Sequence, residues 1–198
     1  MEIVYKSICN DKIIIKESQN YYLLNIKTGS RTTLDYDIIY PISKMYNISF
    51  HPTTRFITII NYINDEDSFY DKYGIFPDRF ISDSGKYGII DAEGKICVPN
   101  IYDKIQQIHD DYFKVAIGKF NFKINPDTDE IIASGGKWGI IDSKNEIIVP
   151  VTFTNIYYDR HRNSFLAYEG GVMIGYEDSH DNTYIWSVNG GKEIEFKI

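Results

Sequence analysis

Short apolar runs separated by turn residues fill this chain from end to end, and they alternate with the period of a strand. Ile3-Val4-Tyr5 and Lys12-Ile13-Ile14-Ile15, broken by Asn10-Asp11, read as a hairpin. Three longer runs share one type: Arg55-Phe56-Ile57-Thr58-Ile59-Ile60, Asp111-Tyr112-Phe113-Lys114-Val115-Ala116-Ile117 and Asn163-Ser164-Phe165-Leu166-Ala167-Tyr168. Their phenylalanines fall 57 and 52 residues apart, which makes the runs equivalent parts of one recurring unit. A partner strand follows, such as Phe120-Asn121-Phe122-Lys123-Ile124 with its Asn125-Pro126-Asp127 turn. No segment reads as a helix of ordinary length.

The recurrence is plainest in Gly85-Lys86-Tyr87-Gly88-Ile89-Ile90-Asp91-Ala92-Glu93-Gly94-Lys95-Ile96-Cys97-Val98-Pro99. It returns 51 residues later as Gly136-Lys137-Trp138-Gly139-Ile140-Ile141-Asp142-Ser143-Lys144-Asn145-Glu146-Ile147-Ile148-Val149-Pro150. In an extended chain Tyr87, Ile89 and Asp91 share one side and Gly88 and Ile90 the other. Gly88 and Gly139 each follow a ring, where a missing side chain lets a neighbouring strand or ring lie against the backbone. Gly94 supplies positive φ for a tight reversal, and Asn145, tolerant of the same region, takes its place in the second copy. Asp91 and Asp142, present in both copies, suit a carboxylate that caps this turn. Ile96-Cys97-Val98 and Ile147-Ile148-Val149 return, and Pro99 and Pro150 are expected to end the ladder for want of an N–H.

Weaker copies extend the pattern. In Asn20–Ser30, Tyr21 stands for the ring, Asn25 for the aspartate and Thr28-Gly29 for the turn. Pro41 falls 16 residues past Asn25, against 8 in the clear copies, so a longer return strand is expected there. A last copy starts near residue 183, with Tyr184-Ile185-Trp186-Ser187-Val188, an Asn189-Gly190 hairpin turn, and Lys192-Glu193-Ile194-Glu195-Phe196. Asp65-Glu66-Asp67-Ser68 to Asp83-Ser84 is the least regular stretch and reads as an insertion or long loop at a unit boundary. The expected fold is all-β: one domain over residues 1–198, built of antiparallel hairpin repeats of about 50 residues, propeller-like or a twisted open array. The chain begins with what reads as a second half-unit and ends with a first half. Pairing of the two would close a ring and remove exposed edges; an open, twisted stack is the rival.

The segments Gly85 to Asp103, ending Pro99, Tyr102, Asp103, and Gly136 to Phe153 resemble the WG-repeat family. Its units run Gly-Lys-ring-Gly, an aromatic or Ile, Ile-Asp, a Gly turn, a short apolar strand, Pro, an aromatic and an acid. The second copy departs from that pattern at Asn145, in place of the turn glycine, and at Thr154, in place of the final acid. The resemblance implies a bacterial β-rich scaffold with Tyr87, Gly88, Asp91, Pro99, Trp138, Gly139, Asp142 and Pro150 as structural repeat positions, and no common catalytic site.

Composition agrees: 35 Ile, 17 Tyr and 11 Phe against 4 Leu and 4 Ala favour a pleated surface over helix. A net charge of −7 gives an acidic surface, which weighs against nucleic-acid and anionic-membrane partners and admits a basic protein. Cys9 and Cys97 form no framework spacing, and Cys97, between Ile96 and Val98, reads as a small buried apolar group. Met1-Glu2-Ile3-Val4-Tyr5-Lys6 has no secretion pattern and no run reaches membrane-spanning length, so a cytoplasmic setting is expected.

Few residues suggest chemistry. Tyr157-Tyr158-Asp159-Arg160-His161-Arg162 is the one compact basic group. Tyr157, Tyr158, Arg160, His161 and Arg162 are its candidate binding residues for a phosphate, a carboxylate or a protein partner, against the plainer reading of a solvated, charge-balanced loop. Glu177-Asp178-Ser179-His180-Asp181 and His109-Asp110-Asp111 are oxygen-rich but lack calcium-loop spacing, and no histidine pair, His51 included, has metal-ligand spacing. No metal, cofactor or catalytic residue is therefore assigned. Ser164 and Ser179 lack a nucleophile motif, and Gly170-Gly171 and Gly190-Gly191 sit at expected hairpin turns. The reading is a non-enzymatic module that binds a protein, with an immunity or antagonist role masking a basic toxin or defence enzyme as the form that charge and size suggest. The alternative is a divergent enzyme or a small-ligand or metal-binding β domain, with His109, Asp110, His161 or His180 converging in one pocket.

Overall fold

The protein is described by a computed structural model, which covers residues 2–6, 11–42, 55–64, 83–109, 111–125, 127–128, 130–177 and 184–198. His51, His180, Asp110, Asp178, Asp181, Cys9 and the stretch 65–82 lie outside these residues. Among the described residues there is no helix, so none is long and apolar enough to cross a membrane.

Alternation converts directly into four antiparallel sheets. The first runs β1 (Glu2–Lys6), β2 (Lys12–Glu17), β3 (Asn20–Asn25), β4 (Arg31–Leu34), in chain order. The second is β5 (Ile38–Pro41), β6 (Arg55–Asn64), β7 (Asp83–Asp91), β8 (Ile96–Tyr102). The third is β9 (Lys104–His109), β10 (Tyr112–Ile124), β11 (Ile131–Asp142), β12 (Ile147–Phe153). The fourth holds β13 (Asn155–Asp159), β14 (Ser164–Glu169) and β17 (Lys192–Lys197), while β15 (Val172–Glu177) and β16 (Tyr184–Asn189) join the third sheet through β11. The recurring ring–glycine motif forms the third strand of its sheet. The stretch 65–82 connects β6 to β7 inside one sheet, and so does not fall at a unit boundary.

The register repeats from sheet to sheet. Tyr21 faces Leu34, Tyr87 faces Tyr102 and Trp138 faces Phe153. Phe56, Phe113 and Phe165, all fully buried, pair with Ile90, Ile141 and Phe196. The turn after each third strand is held as expected. Asp91 Oδ1 accepts from the N–H groups of Glu93 and Lys95, and Asp142 Oδ1 from those of Lys144 and Glu146. Asn25 Oδ1 serves Lys27 and Thr28 in the weak copy. The positive-φ position is Gly29 (φ 72°), Gly94 (79°) or Asn145 (69°). Each carboxylate cap is worth about 1 kcal/mol.

Three apolar clusters join successive sheets. Ile14, Tyr21, Leu23 and Leu34 of the first pack with Ile39, Phe56 and Ile90 of the second. Ile57, Ile59, Tyr87, Ile89 and Tyr102 of the second pack with Ile105, Phe113 and Ile141 of the third. Trp138, Ile140, Val149 and Phe153 of the third pack with Ile156, Phe165 and Ala167 of the fourth. Each ring is thus a wedge between its own sheet and the next, in equivalent surroundings, and each is almost fully buried.

Several expectations are corrected. Pro99 and Pro150 do not end their strands. Val98 faces Ile89 and Tyr102 faces Tyr87, so residues 99–101 bulge opposite Gly88 alone; 150–152 do the same opposite Gly139. The bulge leaves proline without a ladder bond to make. It also explains the glycine, since a Cβ at Gly139 would lie 2.7 Å from the Val149 carbonyl oxygen and 2.8 Å from Val151 Cα. Pro41 belongs to β5, opposite Phe56, and not to an extended return strand, which ends at Leu34. Ring closure is not formed: β1 pairs with β2 and β17 with β14, so the array is open among the described residues. The first half-unit is instead a complete sheet.

Asn189-Gly190 and Gly170-Gly171 are not hairpin turns either. β16 pairs with β15 and β17 with β14, so each Gly-Gly pair joins strands of different sheets. The pairs face each other across one long ribbon, all four glycines at φ between 72° and 88°. A Cβ at Gly171 would sit 2.6 Å from the Gly190 carbonyl oxygen, and one at Gly191 2.7 Å from that of Gly170. Only paired glycines let both strands bend together there.

Candidate functional site

The boundary between the third and fourth sheets gathers most of the residues singled out by sequence. Tyr157, on β13, is half-buried: its hydroxyl donates to the Trp186 carbonyl (2.8 Å) and accepts from Asn155 Nδ2 (2.8 Å), and its ring meets Tyr168 edge-on at 5.6 Å. Burial pushes its hydroxyl up to about 12. Tyr158 stands at 4.2 Å from the His109 ring and 5.8 Å from Phe165, its hydroxyl donating to Asn163 Oδ1. Arg160, His161 and Arg162 lie in the exposed turn that follows. Asp159 Oδ1 accepts from the His161 and Arg162 N–H groups, and the Arg162 guanidinium bridges Asp159 (3.4 Å) and Glu193 (3.3 Å). The two tyrosines are therefore placed inward as packing and hydrogen-bonding groups, while the basic residues form a charge-balanced turn. They do not make one surface.

Lys114 is the feature that sequence reading missed. It is buried, its ammonium 4.3 Å above the Trp138 ring and 5.7 Å from that of Tyr157, hydrogen-bonded to Asn155 Oδ1. Desolvation brings its amine down to about 7. The register supplies a signal. Lys114 faces Ile140 as Ile57 faces Ile89, Ile14 faces Leu23 and Leu166 faces Glu195. A cation stands where the other three sheets carry an aliphatic side chain, and the run Phe113-Lys114-Val115-Ala116 already shows it inside an apolar strand.

Chemistry needs more than this. The Lys114 amine is buried among the Trp138 and Tyr157 rings and the Asn155 amide. Cys97 is half-buried, and burial first, then the Asp91 charge, holds its thiol above the ordinary range, the reverse of an activated nucleophile. Among the described residues no three of His, Cys, Asp and Glu gather as metal ligands. His109 packs against Tyr158 and Tyr112, and His161 is exposed in its turn.

A recurring apolar feature lies on the surface of the described residues. Ile96 and Ile147 begin β8 and β12, opposite Ile90 and Ile141, and are 57% and 63% exposed; Ile101 and Ile148 lie exposed on the same strands. In comparison with known proteins, the family described as WG containing repeat aligns with residues 87–119 and 138–161. These spans take in the ring, turn, bulge and following strands of the second-to-third and third-to-fourth sheets. No curated protein and no solved structure matches the chain.

Proposed function

We propose that this chain, in which WG-containing repeats align with residues 87–119 and 138–161, is a non-enzymatic protein-binding module. The observation that carries this reading is the pair Ile96 and Ile147, large apolar side chains held out to solvent at the same place in successive sheets. An apolar side chain repeated on the outside offers a partner spaced anchors. The recurring ring, glycine and aspartate positions support the same reading, because each is occupied with wedging, bulge or turn duties inside the fold. The net charge of −7 favours a basic partner, and masking of a basic toxin or defence enzyme, as an immunity or antagonist protein does, is the form proposed. Neither nucleic acid nor an anionic membrane suits that charge, and a cytoplasmic setting goes with the proposal.

Capture on the immobilised full chain from an extract of its native host, read by mass spectrometry, tests the proposal. A basic protein is expected on the wild type, and roughly tenfold less of it on an Ile96→Lys/Ile147→Lys double variant. Equal capture by both would remove these residues from the interface. A small molecule or metal co-purifying with no protein would replace the reading with a ligand-binding or enzymatic one centred on His109, Asp110, His161 or His180.

A further inference from the structure

The crossing from one sheet to the next is built twice on the same plan, and the residue at its turn differs in chemistry. After Tyr102 the chain turns at Asp103, whose N–H donates to the Ala116 carbonyl (2.9 Å); after Phe153 it turns at Thr154, whose N–H donates to Tyr168 (2.8 Å). Ala116 and Tyr168 are equivalent by register, since Phe113 and Phe165 occupy the same place. At the first crossing the Asp103 carboxylate is fully used. One oxygen takes the Lys86 ammonium at 2.6 Å and the other the Gly118 N–H at 2.8 Å. Lys137 is the counterpart of Lys86, one residue before the ring, but Thr154 brings no carboxylate to it. Lys137 is exposed and has no ion-pair partner among the described residues.

A cleft opens at that spot. Its volume is about 60 Å³, and Ser134, Gly135, Lys137, Thr154 and Gly171 line it beside the Phe120 ring. On this measure about 10–15 Å³ already holds a water, so the space admits a group larger than one water, a carboxylate among them. The lining residues include a lysine, a serine and a threonine, side chains whose ammonium and hydroxyls can donate, next to glycines. We infer that this cleft is a binding site for a carboxylate group carried by another molecule, which takes the place that Asp103 fills from within one repeat earlier. The inference is separate from the exposed isoleucines, and the site holds whether the carboxylate belongs to a small free acid or to an acidic side chain of a protein.

Amide chemical shifts of the ¹⁵N-labelled full chain test it, with sodium acetate, a capped Gly-Asp-Gly peptide and sodium chloride titrated separately. Saturable shifts are expected at Lys137, Thr154 and Gly171 with acetate or peptide, and none that saturate with chloride. Tenfold tighter binding of the peptide assigns the site to acidic side chains; equal binding assigns it to free carboxylates. Thr154→Asp restores the internal carboxylate and is expected to weaken acetate at least tenfold without lowering the melting midpoint. Lys137→Gln weakens it similarly, and Lys123→Gln leaves it unchanged. Absence of saturable shifts, or acetate affinity unaltered in Thr154→Asp, overturns the inference. Loss of acetate binding with protein capture intact, or the converse, separates this site from the isoleucine surface.

Discussion

Replacing Trp138 with alanine is expected to destabilise the protein by about 3–5 kcal/mol in urea denaturation, the range for deleting a large buried ring. The indole is 2% exposed and sits in the cluster shared by the third and fourth sheets, with Phe120 at 5.6 Å and the Lys114 ammonium at 4.3 Å over its face. Its removal opens a cavity between two sheets, and the neighbouring backbone is fixed by the bulge opposite Gly139, which limits collapse into it. Tyr87→Ala, at the equivalent wedge between the second and third sheets, is expected to fall in the same range. Ile101→Ala, on the exposed strand β8, should stay within about 0.5 kcal/mol. A Trp138→Ala cost below about 1 kcal/mol would mean that the ring does not join the sheets.

Stability is expected to rise with pH from about 7 toward 10, and Lys114→Met should abolish most of that rise. The amine has an ordinary value of 10.5 and is brought down to about 7 in the folded protein by desolvation. Between those values the folded state holds a neutral amine while the unfolded chain holds an ammonium. The unfolded state then binds more protons, and the free energy of unfolding increases with pH. Below about 7 both states carry the charge, and the fold bears the whole cost of an ammonium in the core, on the order of a few kcal/mol. Tyr157 acts oppositely and only at higher pH. Its raised value means that its stabilisation is complete below about 10 and is lost as pH climbs toward about 12, and the raised Cys97 thiol acts in the same sense past its ordinary value of 9.0, so scans from pH 6 to 8 keep clear of both. Lys114→Met leaves Asn155 Oδ1 still accepting from the Ile156 N–H at 2.9 Å. The variant should therefore be more stable than wild type near pH 6.5, with a flatter profile, in urea titrations across that range. Parallel profiles for the two proteins would assign the slope to other groups.

The repeat, its turn and its wedge were legible because each rests on local rules. A ring followed by glycine, an aspartate before a tight reversal, and Asn145 in place of Gly94 are backbone requirements that a short window displays. The phase of the unit and its partners were not. Gly170-Gly171 and Asn189-Gly190 carry the positive-φ signal of a hairpin, but the same dihedrals let a long ribbon bend, and only the distant pairing of Ser164–Glu169 with Lys192–Lys197 separates the two outcomes. Pro99 and Pro150 read as strand ends because a proline cannot extend a ladder. The bulge that accommodates it depends on Gly88 and Gly139 across the pair. Among the candidate site residues, Tyr157 and Tyr158 looked like surface recognition groups in a run of polar neighbours. Their inward placement follows from Ile156 and the strand partners Phe165 and Leu166. Lys114 was visible within its apolar run, yet its meaning emerged only once register set it beside Ile14 and Ile57.

The most direct measurement of the wedge is a set of through-space contacts in isotope-edited NMR spectra of the wild-type chain. Contacts from the Tyr87 ring to methyls of Ile105 or Val115, together with contacts from the Trp138 ring to methyls of Ile156 or Ala167, are the predicted result. Two rings that see methyl groups of their own sheets alone would contradict the account.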